Sequence, residues 1–417
     1  MTAEIIRLSA QRDAFYVPSF QVFIFDQPVG VPSVKDIIEV KYDDAIERID
    51  GFTLTVNNWD AQRRAPIYYG HYAPTATEDH PDLFEPGTEL MLCMGYGGFN
   101  RLMVTGVITS VDVQFAESGH SKLVVSGLNV LERFRRQQYT WSWPDSPTDS
   151  VRDSEVARAL SAAPDETLHR PGLGIEVRID EQALEREPFF ANIFMNNQYP
   201  ILFLMERARA RGYQVILREE DGEEVDRDGN PVPVRHIFFG PTELERDVTY
   251  VLEWGKTLTS FHPTYANARQ LYAVKVCGWD RTAKKAIAVR KTLDDIPEAD
   301  RPNRDHIEVA RAANREEVIT QPPARTEQEA ERRAIEQLKR NHLGMVEATG
   351  ATVGLPDLRA GKIVHIRGVG RHFDGIYTVM TTSHVLNEQG YRTSFTARRA
   401  NPEEPGAHFA ANLVEGG

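Results

Sequence analysis

The feature that most constrains this chain is a stretch that occurs twice. Residues Gly87 to Gly127, GTELMLCMGYGGFNRLMVTGVITSVDVQFAESGHSKLVVSG, and Gly361 to Ala397, GKIVHIRGVGRHFDGIYTVMTTSHVLNEQGYRTSFTA, pass through the same features in the same order. Each opens on glycine and an alternating strand, then reaches a glycine-rich turn ending in phenylalanine (Phe99, Phe373) and a long β-branched strand. A polar loop ending at Gly119 or Gly390 returns the chain along a further strand. A shared order over about forty residues predicts one β unit present twice, with Phe99 equivalent to Phe373 and Gly119 to Gly390.

The rest of the chain fills in around that repeat. From Ser19 to Leu128 the segments QVFIF, IEVKY, GFTLTV, ELMLCMGYG, LMVTGVITSVDVQF and KLVVSGL alternate and are cut by glycine, proline and acidic turns, the signature of an antiparallel barrel or sandwich. Trp143-Pro144-Asp145-Ser146-Pro147 breaks the pattern. Beyond it, ILFLMERARARGYQVIL places Ile201, Leu204, Met205 and Ala208 on one helix face, with Pro200 in the first turn and Gly212 as the stop. Glu219 to Pro233 reads as an acidic hairpin loop, and Thr326 to Glu329 as a capping box before the stripe Ala330, Ala334, Ile335, Leu338. The expected fold class is α+β, with two similar antiparallel β-barrel domains of tail-tube-like form and a discontinuous α/β domain. The boundaries are 1–143 for the first barrel, 144–246 and 292–344 for the α/β domain, and 247–291 and 345–399 for the second barrel, with 400–417 a tail.

Composition narrows the function. A chain of 417 residues, 41% hydrophobic and 26% charged, folds for most of its length. Its net charge of −13 repels nucleic acid and anionic membranes on average. The start MTAEIIRLSA lacks a basic, apolar secretory leader, and no window approaches the ~18 apolar residues of a membrane span. Synthesis as a soluble bacterial cytoplasmic protein is expected, without membrane insertion or stable nucleic-acid binding. Cys93 and Cys277 sit in separate apolar runs and read as small buried hydrophobes, neither a disulfide nor a metal pair.

No catalytic residue, cofactor site or metal site emerges. There is no G-x-S-x-G elbow, no H-E-x-x-H and no G-x-x-x-x-G-K-[ST] loop. Gly95 to Gly98 lies between two strands and is a hairpin turn, and Asp226 to Gly229 lacks the ligand spacing of a calcium loop. His372, Asp374 and His384 share no catalytic spacing. Trp141 and Trp143 in TWSWP suit either a glycan platform or a buried domain seam.

Two stretches carry a family resemblance, VLEWGKTLTSFHPTYANARQLYAVKVCGWD and GLPDLRAGKIVHIRGVGRHFDGIYTVMTTSHVLNEQGYRTSFTARR. Trp254-Gly255 and Gly278-Trp279-Asp280 are similar to paired strand signatures of the late control protein D family of contractile-tailed phages. Gly354, Pro356, Leu358 and Gly361 resemble its G-x-P-x-L-x-x-G entry, and Phe373, Gly375 and Tyr377 its F-x-G-x-Y turn. A similar module forms the hub half of VgrG spike proteins of type VI secretion. The resemblance implies a non-enzymatic homotrimeric baseplate hub, in a phage tail or contractile injection system, joined to a tail tube protein, a spike protein and other baseplate proteins, without a cofactor. Under it, Trp254, Trp279 and Phe373 are packing residues. A cell-wall-acting or glycan-binding tail-associated protein is the alternative.

Overall fold

The computed structural model describes residues 17–399 except 25–26, 29–30, 47, 70–82, 116, 118–120, 147, 221–233, 242–247, 266–269, 298–303, 344–345 and 371–372. The glycine Gly119, His372, the tip of the acidic loop and the 400–417 tail therefore lie outside the described residues.

The chain begins with β1 (Pro18–Ile24), β2 (Gln27–Pro28), α1 (Val31–Asp36), β3 (Ile37–Ala45), β4 (Gly51–Asn57), β5 (Glu89–Tyr96), β6 (Phe99–Gln114) and β7 (Lys122–Asn129). In β4 the buried positions are Phe52, Leu54 and Val56, the period of two that puts one sheet face on a core. The α/β part follows: β8 (Tyr139–Trp143), α2 (Asp153–Ala159), β9 (Glu176–Ile179), α3 (Glu181–Glu185), β10 (Ile193–Gln198), α4 (Pro200–Arg211), β11 (Tyr213–Glu220) and β12 (Val234–Pro241). Helix α4 starts at Pro200 and stops at Gly212 in the left-handed conformation, with Ile201, Phe203, Leu204 and Ala208 buried.

Next come β13 (Val248–Glu253), β14 (Leu258–Tyr265), β15 (Ala273–Asp280), β16 (Lys285–Thr292), α5 (Arg304–Ala313), β17 (Glu316–Ala324) and α6 (Glu327–Leu343). The entry to α6 is capped, since Thr326 Oγ1 accepts from the Glu329 N–H at 3.1 Å and Glu329 accepts from the Arg325 N–H at 2.9 Å. The chain closes with β18 (Val346–Val353), β19 (Ile363–Arg367), β20 (Gly375–Asn387) and β21 (Gly390–Arg399).

The repeat is visible in the hydrogen bonds. One unit orders its strands β3-β4-β7-β6-β5-β1 and the other β14-β18-β21-β20-β19-β13, the same order when each is counted along the chain. Gly87 and Gly361, at φ +96° and +84°, open the two hairpins in a conformation that suits glycine. The Gly87 N–H donates to the Ile108 carbonyl at 2.7 Å and the Ile108 N–H to Thr88 at 2.9 Å; Gly361, Val379 and Lys362 make the same pair of bonds at 2.8 Å each. Bulges also coincide, between Ile108 and Ser110 in β6 and between Val379 and Thr381 in β20, and again after Ile37 in β3 and after Leu258 in β14. One pairing differs: β1 runs antiparallel to β5, whereas β13 runs parallel to β19.

Four expectations are corrected. Register aligns Glu89–Val107 with Ile363–Thr378, so Gly375 matches Val104 and Phe373 does not match Phe99. The first hairpin is longer, and Phe99 stands 88% exposed opposite Tyr96 at its tip. Strands β15 and β16 do not join the second β unit; with β17 they form a separate three-stranded sheet whose core, around Val274, Val276, Ile287 and Leu338, is covered by α5 and α6. The helical part is likewise two small units, because β9, β11 and β12 form their own sheet over another core that includes Ile201, Leu204 and Phe239. Finally, β3 pairs with β20, which merges the two β units into a 13-stranded sheet that does not close on itself among the described residues.

Candidate functional site

The residues carrying the family resemblance are turn and packing positions spread over separate units. Trp254 follows β13 and is 49% exposed, and Gly255 turns the chain at φ +77°. Gly278 marks a close approach, since a Cβ there would lie 2.0 Å from the Ala324 carbonyl on β17. Trp279 is 52% exposed, so neither tryptophan anchors this chain's own core, contrary to expectation. Asp280 caps a turn by accepting from the Thr282 and Ala283 N–H groups at 2.8 Å. Gly361 and Gly375 flank β19, and Tyr377 is fully buried, its hydroxyl donating to the Phe373 carbonyl at 2.7 Å. Phe373 itself packs half-buried on the core of the second unit.

The sequence reading missed the densest polar constellation, which lies where β3, β6, β11, β20 and the turn before β19 meet. Alternation in β3 turns Val40, Tyr42 and Asp44 to the buried side. Asp44 faces Thr382 across the β3–β20 pair and accepts from its N–H at 3.1 Å, from its hydroxyl, and from the Ala360 N–H at 3.0 Å. The Arg359 guanidinium stacks over the Tyr42 ring at 4.6 Å and donates to the Leu102 and Met103 carbonyls at 2.9 and 3.2 Å. Asp50 accepts from Asn129 Nδ2 at 2.9 Å and from the Ala45 N–H at 3.3 Å. Glu219 on β11 joins the α/β part to the sheet, accepting from the Thr105 N–H and from Arg235 Nε, both at 2.8 Å.

Burial dominates the electrostatics. It raises the carboxyl of Asp44, an effect opposed by the Arg359 charge and three donated hydrogen bonds. Asp50 is pushed up to about 8, by burial first and by the Asp44 carboxylate second. His384, completely buried, is held well below its usual value by burial and then by Arg359. Its ring is therefore neutral near pH 7. Nε2 donates to the Leu358 carbonyl at 3.0 Å, leaving Nδ1 to accept from the Tyr391 and Thr393 hydroxyls at 3.0 and 3.1 Å.

This arrangement fixes strands to one another. The cavity among Tyr42, Asp44, Asp50, Glu219 and Arg359 measures about 80 Å³, room for a few waters and far below the ~300 Å³ at which ligand pockets begin. Asp374 is spent on a turn, accepting from the Val369 N–H at 2.8 Å. The paired tryptophans do not form a glycan platform, because Trp143 is 4% exposed and stacks on Phe203 at 5.7 Å.

Comparison with known proteins bears on this architecture. The tail protein of Neisseria meningitidis MC58 superposes with a TM-score of 0.59 at 13% identity, covering 92% of this chain and 97% of that one. The 43 kDa tail protein of prophage MuSo2 from Shewanella oneidensis gives 0.59, 13%, 92% and 98%. The chain has the fold of phage tail proteins. Prophage tail protein gp18 of Listeria monocytogenes EGD-e matches it over 95% of this chain and 99% of its own, with a TM-score of 0.51 at 11% identity. A family model described as the Alg8 N-terminal domain matches residues 203–388. That match covers less than half of the chain, begins inside α4 and ends in the β20–β21 turn, so it coincides with no folded unit. No curated protein matches by sequence. Among the described residues no helix is long and apolar enough to cross a membrane, and no group of side chains is arranged to hold a metal.

Proposed function

We propose that this protein is the central hub of a contractile tail or injection-system baseplate, a structural component and not an enzyme, of the late control protein D type. Three chains form a ring in which the two β units of each chain, read as tail-tube-like barrels, present six similar faces to a six-fold tail tube while the trimer meets a three-fold spike. One observation carries this reading: the two units share strand order, bulge positions and the Gly87 and Gly361 hydrogen bonds, so one chain holds the same backbone framework twice. A duplicated face is what converts three-fold into six-fold contact without a symmetry clash. The fold shared with phage tail proteins supports the setting. Light scattering of the purified protein tests it: three chains of 47.1 kDa give about 141 kDa, stable to dilution. A species at 47.1 kDa at every concentration rejects the hub.

A further inference from the structure

The two β units are equivalent, but their edges are not equally used. Strand β20 has three partners: β19 and β21, and along Thr381–Leu386 also β3 of the first unit. Its counterpart β6 has two, β5 and β7, and among the described residues the side of β6 beyond Ile108 that faces away from β7 pairs with no strand. Strand β3 lies between β4 and β20, whereas among the described residues its counterpart β14 has β18 as its one strand partner and ends the sheet. The unfilled sides are therefore complementary: one lacks a β3-like strand, and the other lacks a β20-like one.

We infer that β14 of one chain adds to the open side of β6 in a second copy, antiparallel, in the register that joins β3 to β20 within the chain. The register follows from the shared bulges and ladders. Val40 corresponds to Phe261 and Leu386 to Phe115, so the internal pair Val40–Leu386 becomes Phe261–Phe115 between chains. In the same way Lys41–Val385 becomes His262–Gln114, and Asp43–Ser383 becomes Thr264–Asp112.

The side chains agree with this placement. Within the chain, the face carrying Val40 and Leu386 is buried by the junction. On the open side the same face holds Val111, Val113 and Phe115, an apolar stripe whose last ring is 68% exposed. Phe261 and Pro263 lie half-buried on the matching face of β14, while His262 and Thr264 point outward. Pro263, which has no N–H to give, marks β14 as an edge strand within its own chain and withholds one donor from any ladder formed there. The carboxylate of the internal junction has no counterpart, because Tyr265 stands where Asp44 does and Val111 where Thr382 does; on this face the contact between copies is apolar and aromatic.

This inference rests on the hub reading and adds the contact that closes the ring. Cysteine pairing tests it, with Cys93 and Cys277 first replaced by alanine. Phe115→Cys chains and Phe261→Cys chains are co-assembled and oxidised with copper phenanthroline. Directly opposed Cβ atoms lie about 4.5–5.5 Å apart, within reach of a disulfide after small adjustment. A covalent dimer band is expected from the mixture and from neither variant alone. A chain carrying both cysteines is expected to give a covalent trimer, and Phe115→Cys with His262→Cys, one register off and on the opposite face, is expected to give at least tenfold less product. A 141 kDa assembly with no Phe115–Phe261 product overturns this contact and leaves the hub standing, whereas a monomer removes both.

Discussion

At the scale of single residues, the seam around Asp44 ties stability to pH. The carboxyl of Asp50 is pushed up to about 8, so the folded chain keeps a proton that the unfolded chain releases near pH 4. That contribution is full below about pH 4 and is lost as pH rises through about 8. His384 acts in the other sense: its depressed value means stability that is present above about 6.5 and lost on acidification. Melting temperatures of wild type and Asp50→Asn from pH 5 to 8 separate the two, since only Asp50 differs. The variant should lose less stability than wild type over that rise, and parallel curves would remove Asp50 from the account. Arg359→Met leaves Asp44 buried without its compensating charge, a loss of about 3–5 kcal/mol in urea unfolding that Asp44→Asn in the same chain should largely restore. Asp44 was legible in principle, because a carboxylate in phase with Val40 and Tyr42 on an alternating strand must either be exposed with them or be paired. Arg359 was not, because nothing local brings position 359 to position 44.

At the scale of elements, what repeats locally could be read and what depends on distant partners could not. Gly87 and Gly361 open matching hairpins because the turn chemistry and the alternation are written into each segment. Strands β15 and β16 alternate just as well, yet they join β17 under α6 and not the second β unit. Alternation specifies a strand and its buried face without naming the sheet it enters. Phe99 misled for a related reason: a glycine-rich turn ending in phenylalanine is the same string in two hairpins of different length. Mutations at the two kinds of aromatic position should differ accordingly. Phe52, 2% exposed and packed against Gly127, should cost about 3–5 kcal/mol when replaced by alanine. Trp279→Ala should change the stability of the chain by less than about 1 kcal/mol. Equal losses at both sites would mean that Trp279 is covered by a partner or by a different packing of β15.

At the scale of the whole molecule, duplication and charge bear on what passes through such a ring. Three chains of net charge −13 carry −39 together, and whatever part lines a channel repels DNA within a Debye length of ~10 Å. The purified assembly should not retain DNA at about 0.1 M salt, and retention would point to a basic track instead. A hub of this kind requires the two equivalent units of each chain to lie side by side in one ring. Electron-microscope projections of the purified protein down its symmetry axis measure this directly. Six similar lobes around a central opening are expected, neighbours related by roughly 60°, half the step between chains of a closed three-fold ring. Three lobes in that view, with a second tier of three beneath them in side views, would contradict it.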